Sequence, residues 1–466
     1  MEFSYIGSEK GKRKLCFNGH LFYKERQTSD KTFWKCEMYQ KTKCRARIHV
    51  ADNKIVKVLK EHNHLGDAAK VEVETIYENV RKQAVETTHS PNVILSSALD
   101  ECSQAAASKL PSIGNIKRTM RMIRQRNNAC PALPQHRKDI SFVNDITKLS
   151  SGEEFLFYDS GNVEDRILIF ATRRNLQLLT KSEHWYADGT FKASPLLFYQ
   201  LYTLHGLKQN ISLPLVYALL PDKSETTYIK FLEAVKNFDP SFFPSSITTD
   251  FEPAMIKATK HVFPNTIQKG CFFHFSQCIV RKIQACGLKQ QYETDAEFAL
   301  KLRMLCALAF VPVEGVVDAF EALCDNEVFP FEAQDVVDYF EDTWIGRPDR
   351  RRHRRLPKFP LDMWNVHISV LDNIPKTNNN VEGWHRAFEE QMTSHHPNIW
   401  NFLKCMKNEQ RLTEVKIEQY ISGHAPKKGR KAYITCAERI RRLVSDCKED
   451  ACIIEYLRGL AHNFSY

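Results

Sequence analysis

The chain has 466 residues, of which 43% are hydrophobic and 11% aromatic, and it carries a formal net charge of +10. This length exceeds one small domain and predicts about three domains, each with its own core. No apolar run reaches the roughly 20 residues that span a bilayer, and the charged first residues are unlike a signal sequence, so we expect a soluble intracellular protein. Most of the fourteen cysteines are isolated in apolar context, which favours buried free thiols over disulfides.

Basic residues are concentrated in three stretches of the chain. Residues 1–67 contain fifteen Lys and Arg against eight Asp and Glu, residues 117–126 contain five basic residues and no acid, and residues 347–358 contain seven basic residues and one acid. Such clusters favour a polyanionic partner, because each neutralised phosphate releases counterions, and the partner that we expect is double-stranded DNA. Solvated protein surface is the alternative for any one cluster. The basic residues that we expect to contact DNA are Lys117, Arg118, Arg121, Arg124, Arg351, Arg352, Arg354 and Arg355.

Breaks in the hydrophobic pattern divide the chain into five segments. Residues 1–67 predict a small antiparallel sheet, residues 68–130 a helical linker domain of three helices, residues 150–275 strands and then alternating strand and helix, and residues 276–375 and 376–466 helices alone. The third segment therefore predicts an α/β layer domain. The last helix of the second segment has a basic face, which either lies along DNA or is solvated as part of a linker.

Two cysteines and two histidines in the first segment have a spacing that predicts a metal site. Cys36, Cys44, His62 and His64 form the pattern C-x7-C-x17-H-x-H, and two thiolates with two imidazoles are a ligand set that tetrahedral zinc prefers. A segment of about 60 residues has too little core to fold unaided, so a bound metal would supply the missing stability. The spacing differs from that of the common DNA-reading finger.

The sequence around these ligands resembles a FLYWCH-type zinc finger over roughly 60 residues. The resemblance rests on FNGHLFY at Phe17–Tyr23, WKC at Trp34–Cys36, CRAR at Cys44–Arg47 and HNH at His62–His64. It implies structural zinc and a role in binding DNA or protein.

Three acidic residues lie where carboxylates can converge. Asp188 is near the end of a predicted strand and precedes a glycine that lets the backbone approach a ligand, while Asp250 ends the strand SITTD. Glu382 falls in the first turn of a predicted helix that Asn380 or a neighbour caps. A few carboxylates can hold the two divalent ions that phosphoryl transfer in DNA requires. A turn or capping role is the alternative for each residue taken alone.

A further pair, Cys271 and His274, closes the strand that follows Asp250. C-x2-H is half of a zinc site, and since no second pair follows at useful spacing, we assign it a structural role without an ion.

The ordered set DGTF, TTDFEPAM, FP, CFFHF and TNNNVEGWH resembles the Mutator-like element (MULE) transposase domain across about residues 185–390. The resemblance implies an α/β RNase H-like catalytic core with a D-D-E triad and a large all-helical insertion before the glutamate. It assigns Asp188, Asp250 and Glu382 as catalytic ligands of Mg²⁺ or Mn²⁺, and it matches Cys271 and His274 to a motif near the active site. Self-association is implied as well, because transposases generally act as dimers or larger assemblies.

Two functions stay open, and a third is the least favoured. A metal-dependent DDE transposase would cleave and transfer DNA strands, whereas a domesticated, catalytically silent relative would bind DNA or act in transcription. Cys436, Cys447 and Cys452 lack the histidine spacing of the C-terminal zinc module that some MULE proteins carry, which leaves activity undecided. A zinc-dependent protein-interaction module without DNA affinity is the third class. DNA as partner predicts a nuclear protein, and the basic runs at residues 350–355 and 427–431 fit nuclear import.

Overall fold

A computed structural model of the chain describes residues 3–7, 13–87, 89–127, 133–142, 144–208, 211–325, 328–351, 353–392, 396–424, 431–446 and 452–464. The chain divides into two units, Met1–Pro131 and Ala132–Tyr466. None of the helices in these ranges combines the length and apolar character that crossing a bilayer requires.

Short strands with alternating apolar residues form a six-stranded antiparallel sheet in the first unit, which confirms the predicted β module. Neighbours in sequence are neighbours in the sheet. Leu15, Phe22, Trp34 and Ile48 are buried together in its core. The strands are β1 (Ser4–Gly7), β2 (Arg13–Phe17), β3 (His20–Gln27), β4 (Thr32–Cys36), β5 (Arg47–Ala51) and β6 (Lys54–Leu59), with the short helix α1 (Tyr39–Thr42) between β4 and β5.

Four helices follow the sheet, one more than the pattern predicts. They are α2 (Ala68–Glu86), α3 (Pro91–Leu99), α4 (Gln104–Lys109) and α5 (Ile113–Asn127). The expected middle helix is divided because the Ser103 hydroxyl accepts a hydrogen bond from the Ala106 amide and so begins a new helix. Val80, Ile94 and Met120 are buried in the core that these helices share.

A seven-stranded mixed sheet is the centre of the second unit. Its strands are β7 (Leu156–Asp159), β8 (Leu168–Phe170), β9 (His184–Thr190), β10 (Gln200–Lys208), β11 (Ile211–Leu220), β12 (Ser246–Thr249) and β13 (Ile267–Gly270). Their order in the sheet is β13-β12-β9-β10-β11-β8-β7. The strands β9, β10, β11, β8 and β7 pair antiparallel, whereas β12 pairs parallel with both β9 and β13. The pattern does not predict β7.

The remaining elements of this unit are helical. They are α6 (Arg173–Thr180), α7 (Glu225–Lys236), α8 (Pro253–Val262), α9 (Phe272–Ala285), α10 (Lys289–Thr294), α11 (Ala296–Ala307), α12 (Val316–Asp325), α13 (Gln334–Phe340), α14 (Leu361–Trp364), α15 (His367–Leu371), α16 (Asn379–Glu390), α17 (Ile399–Ile421), α18 (Lys431–Ser445) and α19 (Ile453–Ala461), with a π-helix at Glu341–Ile345. Within the described ranges, no strand follows β13. The expectation that Cys271 and His274 close a strand is wrong, because Cys271 already precedes α9 as its N-cap residue.

Both faces of the mixed sheet are covered by helices. Ile167 and Ile169 pack with residues of α6, α7 and α8, while the alternate residues Leu168 and Phe170 pack with residues of α16 and α17. Successive side chains of a strand point to opposite faces, so this division follows from the period of the strand. A separate core around Trp344 serves α9, the helices up to α15, and α18 and α19.

Candidate metal centre and acidic site

Cys36, Cys44, His62 and His64 come together in the first unit. Their potential ligand atoms all lie within 4.8 Å of one another. The distances are 3.2 Å from Cys36 Sγ to His64 Nε2, 3.5 Å from Cys44 Sγ to His62 Nδ1, and 3.3 Å between the two histidine nitrogens. Zn–S and Zn–N bonds of about 2.3 and 2.0 Å in a tetrahedron put ligand atoms roughly 3.3–3.8 Å apart. The four side chains therefore fit a structural zinc ion.

Neighbouring groups orient these ligands. His64 Nδ1 lies 3.0 Å from the Leu65 carbonyl, and an N–H at this position leaves Nε2 free to bind a metal. The Met38 amide donates to Cys36 Sγ at 3.4 Å. Burial lowers the pKa of His62 to about 4, which keeps its imidazole in the neutral form that metals bind.

His20 is a fifth residue at this centre that the ligand pattern does not identify. Its ring is stacked on that of His62, with 3.6 Å between the ring centroids and 6° between the planes. It belongs to the GHLFY motif, so the resemblance marked the position but not its contact with a ligand.

Asp188 and Asp250 lie on neighbouring parallel strands of the second unit. Asp188 is in β9, and Asp250 directly follows β12. Thr248 pairs with Tyr186 in the register of these strands, and continuing it by two residues brings Asp250 level with Asp188. The two carboxyl groups interact electrostatically.

Glu382 lies in the first turn of α16, as predicted, but the expected cap is wrong. The helix begins at Asn379, and its N-cap residue Asn378 makes no capping hydrogen bond with its side chain. The side-chain amide of Asn378 instead donates to the Ala187 carbonyl at 3.3 Å, which attaches the start of the helix to β9 beside Asp188.

The charges at this site perturb one another. Burial, followed by repulsion from Glu252 and Asp188, raises the pKa of Asp250 above its usual value. Burial also raises the pKa of Glu382; His274 opposes the shift and Asp188 adds to it. Glu382 Oε1 is buried without a hydrogen-bond partner and lies 3.6 Å from His274 Nε2. A cation bound near these acids would offset their mutual repulsion and favour their charged forms.

The three carboxylates do not form a compact single-ion site. Among the residues that the structure describes, Cys36, Cys44, His62 and His64 are the one group of three or more potential ligands whose atoms all lie within 4.8 Å. Asp188 nevertheless interacts electrostatically with both Asp250 and Glu382.

Three further residues lie at the acidic site, and the sequence pattern did not identify them. His385 Nδ1 lies 3.5 Å from Asp188 Oδ2, and its Nε2 lies 3.1 Å from Thr203 Oγ1. His385 lies one turn after Glu382 on α16, so helical spacing could have identified it from the sequence. Glu252 lies two residues after Asp250. The hydroxyl of Tyr202, from β10, is buried and has no hydrogen-bond partner. Burial raises its pKa, and nearby groups that include both aspartates raise it further. The pairing of β10 with β9 brings Tyr202 to the site, and the sequence pattern does not record this pairing.

Cys271 and His274 lie beside the acidic site, and their side chains have different partners. Cys271 is buried, and its Sγ accepts a hydrogen bond from the backbone N–H of Asn378 at 3.2 Å, which joins α9 to the start of α16. His274 instead faces Glu382 and Asp250.

The basic residues expected to contact DNA have different environments. Arg118, Arg121, Arg351 and Arg355 are exposed, and Lys117 is half-buried. Arg354 is held by Glu321 and Glu341 at 2.7 and 2.9 Å. Arg352 lies outside the described residues, as does most of the basic run at residues 427–431.

Comparison with protein families identifies two domains. The FLYWCH zinc finger domain matches residues 5–64, and the MULE transposase domain matches residues 184–278. The second match contains Asp188, Asp250, Cys271 and His274 but ends before Glu382. No match is found among curated proteins. The chain thus joins a FLYWCH zinc finger domain to a MULE transposase domain.

Proposed function

We propose that the chain is a MULE-like DDE transposase that cleaves and transfers DNA strands in the nucleus. The observation that carries the proposal is that the pairing of β9 with β12 and the bond from Asn378 to Ala187 bring Asp188, Asp250 and Glu382 to one site, where Asp188 interacts electrostatically with both other acids. The arrangement of β9, β10 and β11 as antiparallel neighbours, with β12 and β13 added parallel to β9, supports an RNase H-like core.

Asp188, Asp250 and Glu382 would hold a pair of Mg²⁺ or Mn²⁺ ions. When bound, the ions would stabilise charge on the attacking and leaving oxygens of an in-line displacement.

The surrounding side chains hold the acids in place. His385 contacts Asp188 and Thr203, which fixes its ring between helix and sheet. Lys223 and Tyr228 donate to Glu252 at 3.0 and 3.2 Å, and so restrain the loop that follows Asp250. In the reaction, water attacks the phosphorus and the bond to the 3′ oxygen breaks. The freed 3′-hydroxyl then attacks a phosphodiester of the target strand; its oxygen forms the new bond to phosphorus, the bond to the target's 3′ oxygen breaks, and that oxygen leaves as a 3′-hydroxyl after taking up a proton.

Nicking of supercoiled plasmid DNA by the full chain tests the proposal. With Mn²⁺ or Mg²⁺ we expect nicking that falls about a thousand-fold in Asp250→Asn, because the variant loses a metal-binding charge. Asp239→Asn is the matched control, since the Asp239 carboxylate accepts its hydrogen bonds from Ser241, two residues farther along the chain, and is not one of the three acids of the site. Equal nicking by both variants would contradict the proposal.

A domesticated DNA-binding factor is the second candidate function. It is favoured by the fact that, in the described part of the chain, Asp188, Asp250 and Glu382 do not form a compact group of ligand atoms. Sequence-selective binding of double-stranded DNA without metal-dependent nicking, and with the same affinity in Asp250→Asn, would identify it.

A further inference from the structure

A cavity of about 890 Å³ opens in the second unit next to the acidic site. Phe273 and Ser276 of α9, Lys376 before α16, and Tyr433 and Arg441 of α18 contribute to its walls. Phe273 directly precedes His274 in the chain. The volume lies within the range of about 300–1,000 Å³ that is usual for ligand sites.

Residues 375–378 separate this cavity from the acidic site and are bonded to both sides. The Tyr186 hydroxyl donates to the Pro375 carbonyl at 2.8 Å, and the Phe272 amide donates to the Lys376 carbonyl at 3.0 Å. Asn378 is bonded to Ala187 and Cys271, as described above. A ligand in the cavity would therefore lie at a fixed position relative to Asp188 and Glu382.

Lys376 is a partly buried cation of this cavity. Burial lowers the pKa of its ammonium group, and its Nζ lies 5.8 and 5.3 Å from the ring centroids of Phe272 and Phe310. No ion pair joins Lys376 to a carboxylate in the described part of the chain. An anion bound beside a partly buried ammonium group that lies against aromatic rings would stabilise its charge.

The other walls supply a polar group and an aromatic surface. Ser276 is buried, and its hydroxyl has no hydrogen-bond partner. Tyr433, from α18, also lines the cavity and is 69% exposed. Glu438 also borders the cavity, but its carboxylate is on an exposed residue and stays solvated.

We propose that this cavity receives one nucleotide of a DNA strand. Lys376 pairs with its phosphate, Ser276 donates a hydrogen bond to it, and the base stacks on Tyr433, since aromatic side chains accept any base. The inference rests on the proposed function, because it takes DNA to be the substrate of the neighbouring acids. It adds a site that positions the strand beside them.

The affinity of a fluorescein-labelled single-stranded octanucleotide for the full chain, without added divalent metal, tests the inference. In fluorescence anisotropy we expect Lys376→Met to weaken binding about ten-fold, the effect of one charge-assisted contact. Tyr433→Leu, a change at an exposed position, should also weaken it, and an oligonucleotide with abasic sites should lose this dependence on Tyr433. Lys236→Met is the matched control, because Lys236 Nζ also lies over a phenylalanine ring, 5.5 Å from the centroid of Phe263, but outside the cavity.

Each outcome has a separate meaning. Equal affinities for Lys376→Met, Tyr433→Leu and Lys236→Met would overturn the inference. Binding of free dAMP that depends on Lys376, without such dependence for the octanucleotide, would overturn the assignment to a strand and identify a free nucleotide as the occupant. Lys376-dependent octanucleotide binding in a chain that never nicks DNA would uphold the cavity while the proposed catalysis fails.

Discussion

The guanidinium of Arg124 donates hydrogen bonds to the backbone carbonyls of Ala84, Thr87 and His89. These carbonyls belong to the last turn of α2 and the residues after it, which lack partners within the helix. Arg124 is therefore engaged in holding a helix end. Arg118 and Arg121, on the same helix, are exposed and remain the better predictions for contact with DNA.

Gly189, the residue after Asp188, is required for packing. A Cβ atom here would lie 2.4 Å from Gln200 Oε1 and 3.0 Å from the ring of Tyr202. Gly189 and Tyr202 are paired in the register of β9 and β10. The small residue lets Tyr202 cross the strand next to Asp188, which differs from the close approach to a ligand that the sequence indicated.

The zinc ligands give a prediction at the same scale. Cys44→Ser should lower the zinc content from one ion per chain to near zero and unfold the six-stranded sheet. Structural zinc contributes an apparent 10–16 kcal/mol or so, about as much as the whole stability of a small domain. Metal analysis and far-ultraviolet circular dichroism measure the two effects.

Cys16→Ser is the control for this change. Cys16 is half-buried in β2 and outside the group of ligands, so the variant should retain its zinc. Zinc that remains bound in Cys44→Ser would refute the ligand assignment.

Elements are joined in the first unit by a partly buried charge network. Lys14 of β2 contacts Glu74 of α2 at 2.7 Å and Glu37 after β4 at 3.3 Å. Burial opposes the charged form of Glu37, but hydrogen bonds from Lys70 and Tyr23 and attraction to Lys14 outweigh it and lower the pKa. A lowered carboxyl pKa stabilises the fold above the ordinary value of 4.5, and this contribution is lost as the pH falls through the folded-state pKa.

Replacing Lys14 should weaken the attachment of α2 to the sheet. Lys14→Met leaves Glu37 and Glu74 without this partner, at a cost of about 2 kcal/mol. Hydrogen exchange measured by mass spectrometry should then be about 30-fold faster in β2 and α2. Lys57→Met removes an exposed lysine from the same sheet and should leave exchange unchanged; similar effects of both variants would argue against the network.

The acidic site is also a product of element packing. Two neighbouring parallel strands bring Asp188 and Asp250 level with each other, and α16 adds Glu382, which lies 132 positions after Asp250 in the chain. The bond from Asn378 to Ala187 fixes this meeting of helix and strand.

At the scale of the whole molecule, the chain consists of two units with separate cores. The sheet of the first unit has a small core around Leu15 and Trp34 and a group of side chains that fits zinc, whereas the second unit has large cores on both sides of its sheet and among its helices. Small domains need such a metal because they bury a smaller fraction of their surface.

Removal of zinc should therefore affect the units differently. With 1,10-phenanthroline, which binds zinc in preference to magnesium, we expect proteolysis to become rapid in residues 13–59 while residues 184–270 stay protected. Limited proteolysis followed by mass spectrometry distinguishes the two. Equal loss of protection in both ranges would show that the units do not fold independently.

The sequence by itself determined the zinc ligands, the antiparallel module, the helical character after residue 270 and the two families. These features depend on spacing and local periodicity, which are properties of neighbouring residues. The tertiary structure decided the contact of His385 with Asp188, the place of Tyr202 and the cavity around Lys376. Strand register and helix packing bring those residues together from distant parts of the chain, and no local pattern records such contacts.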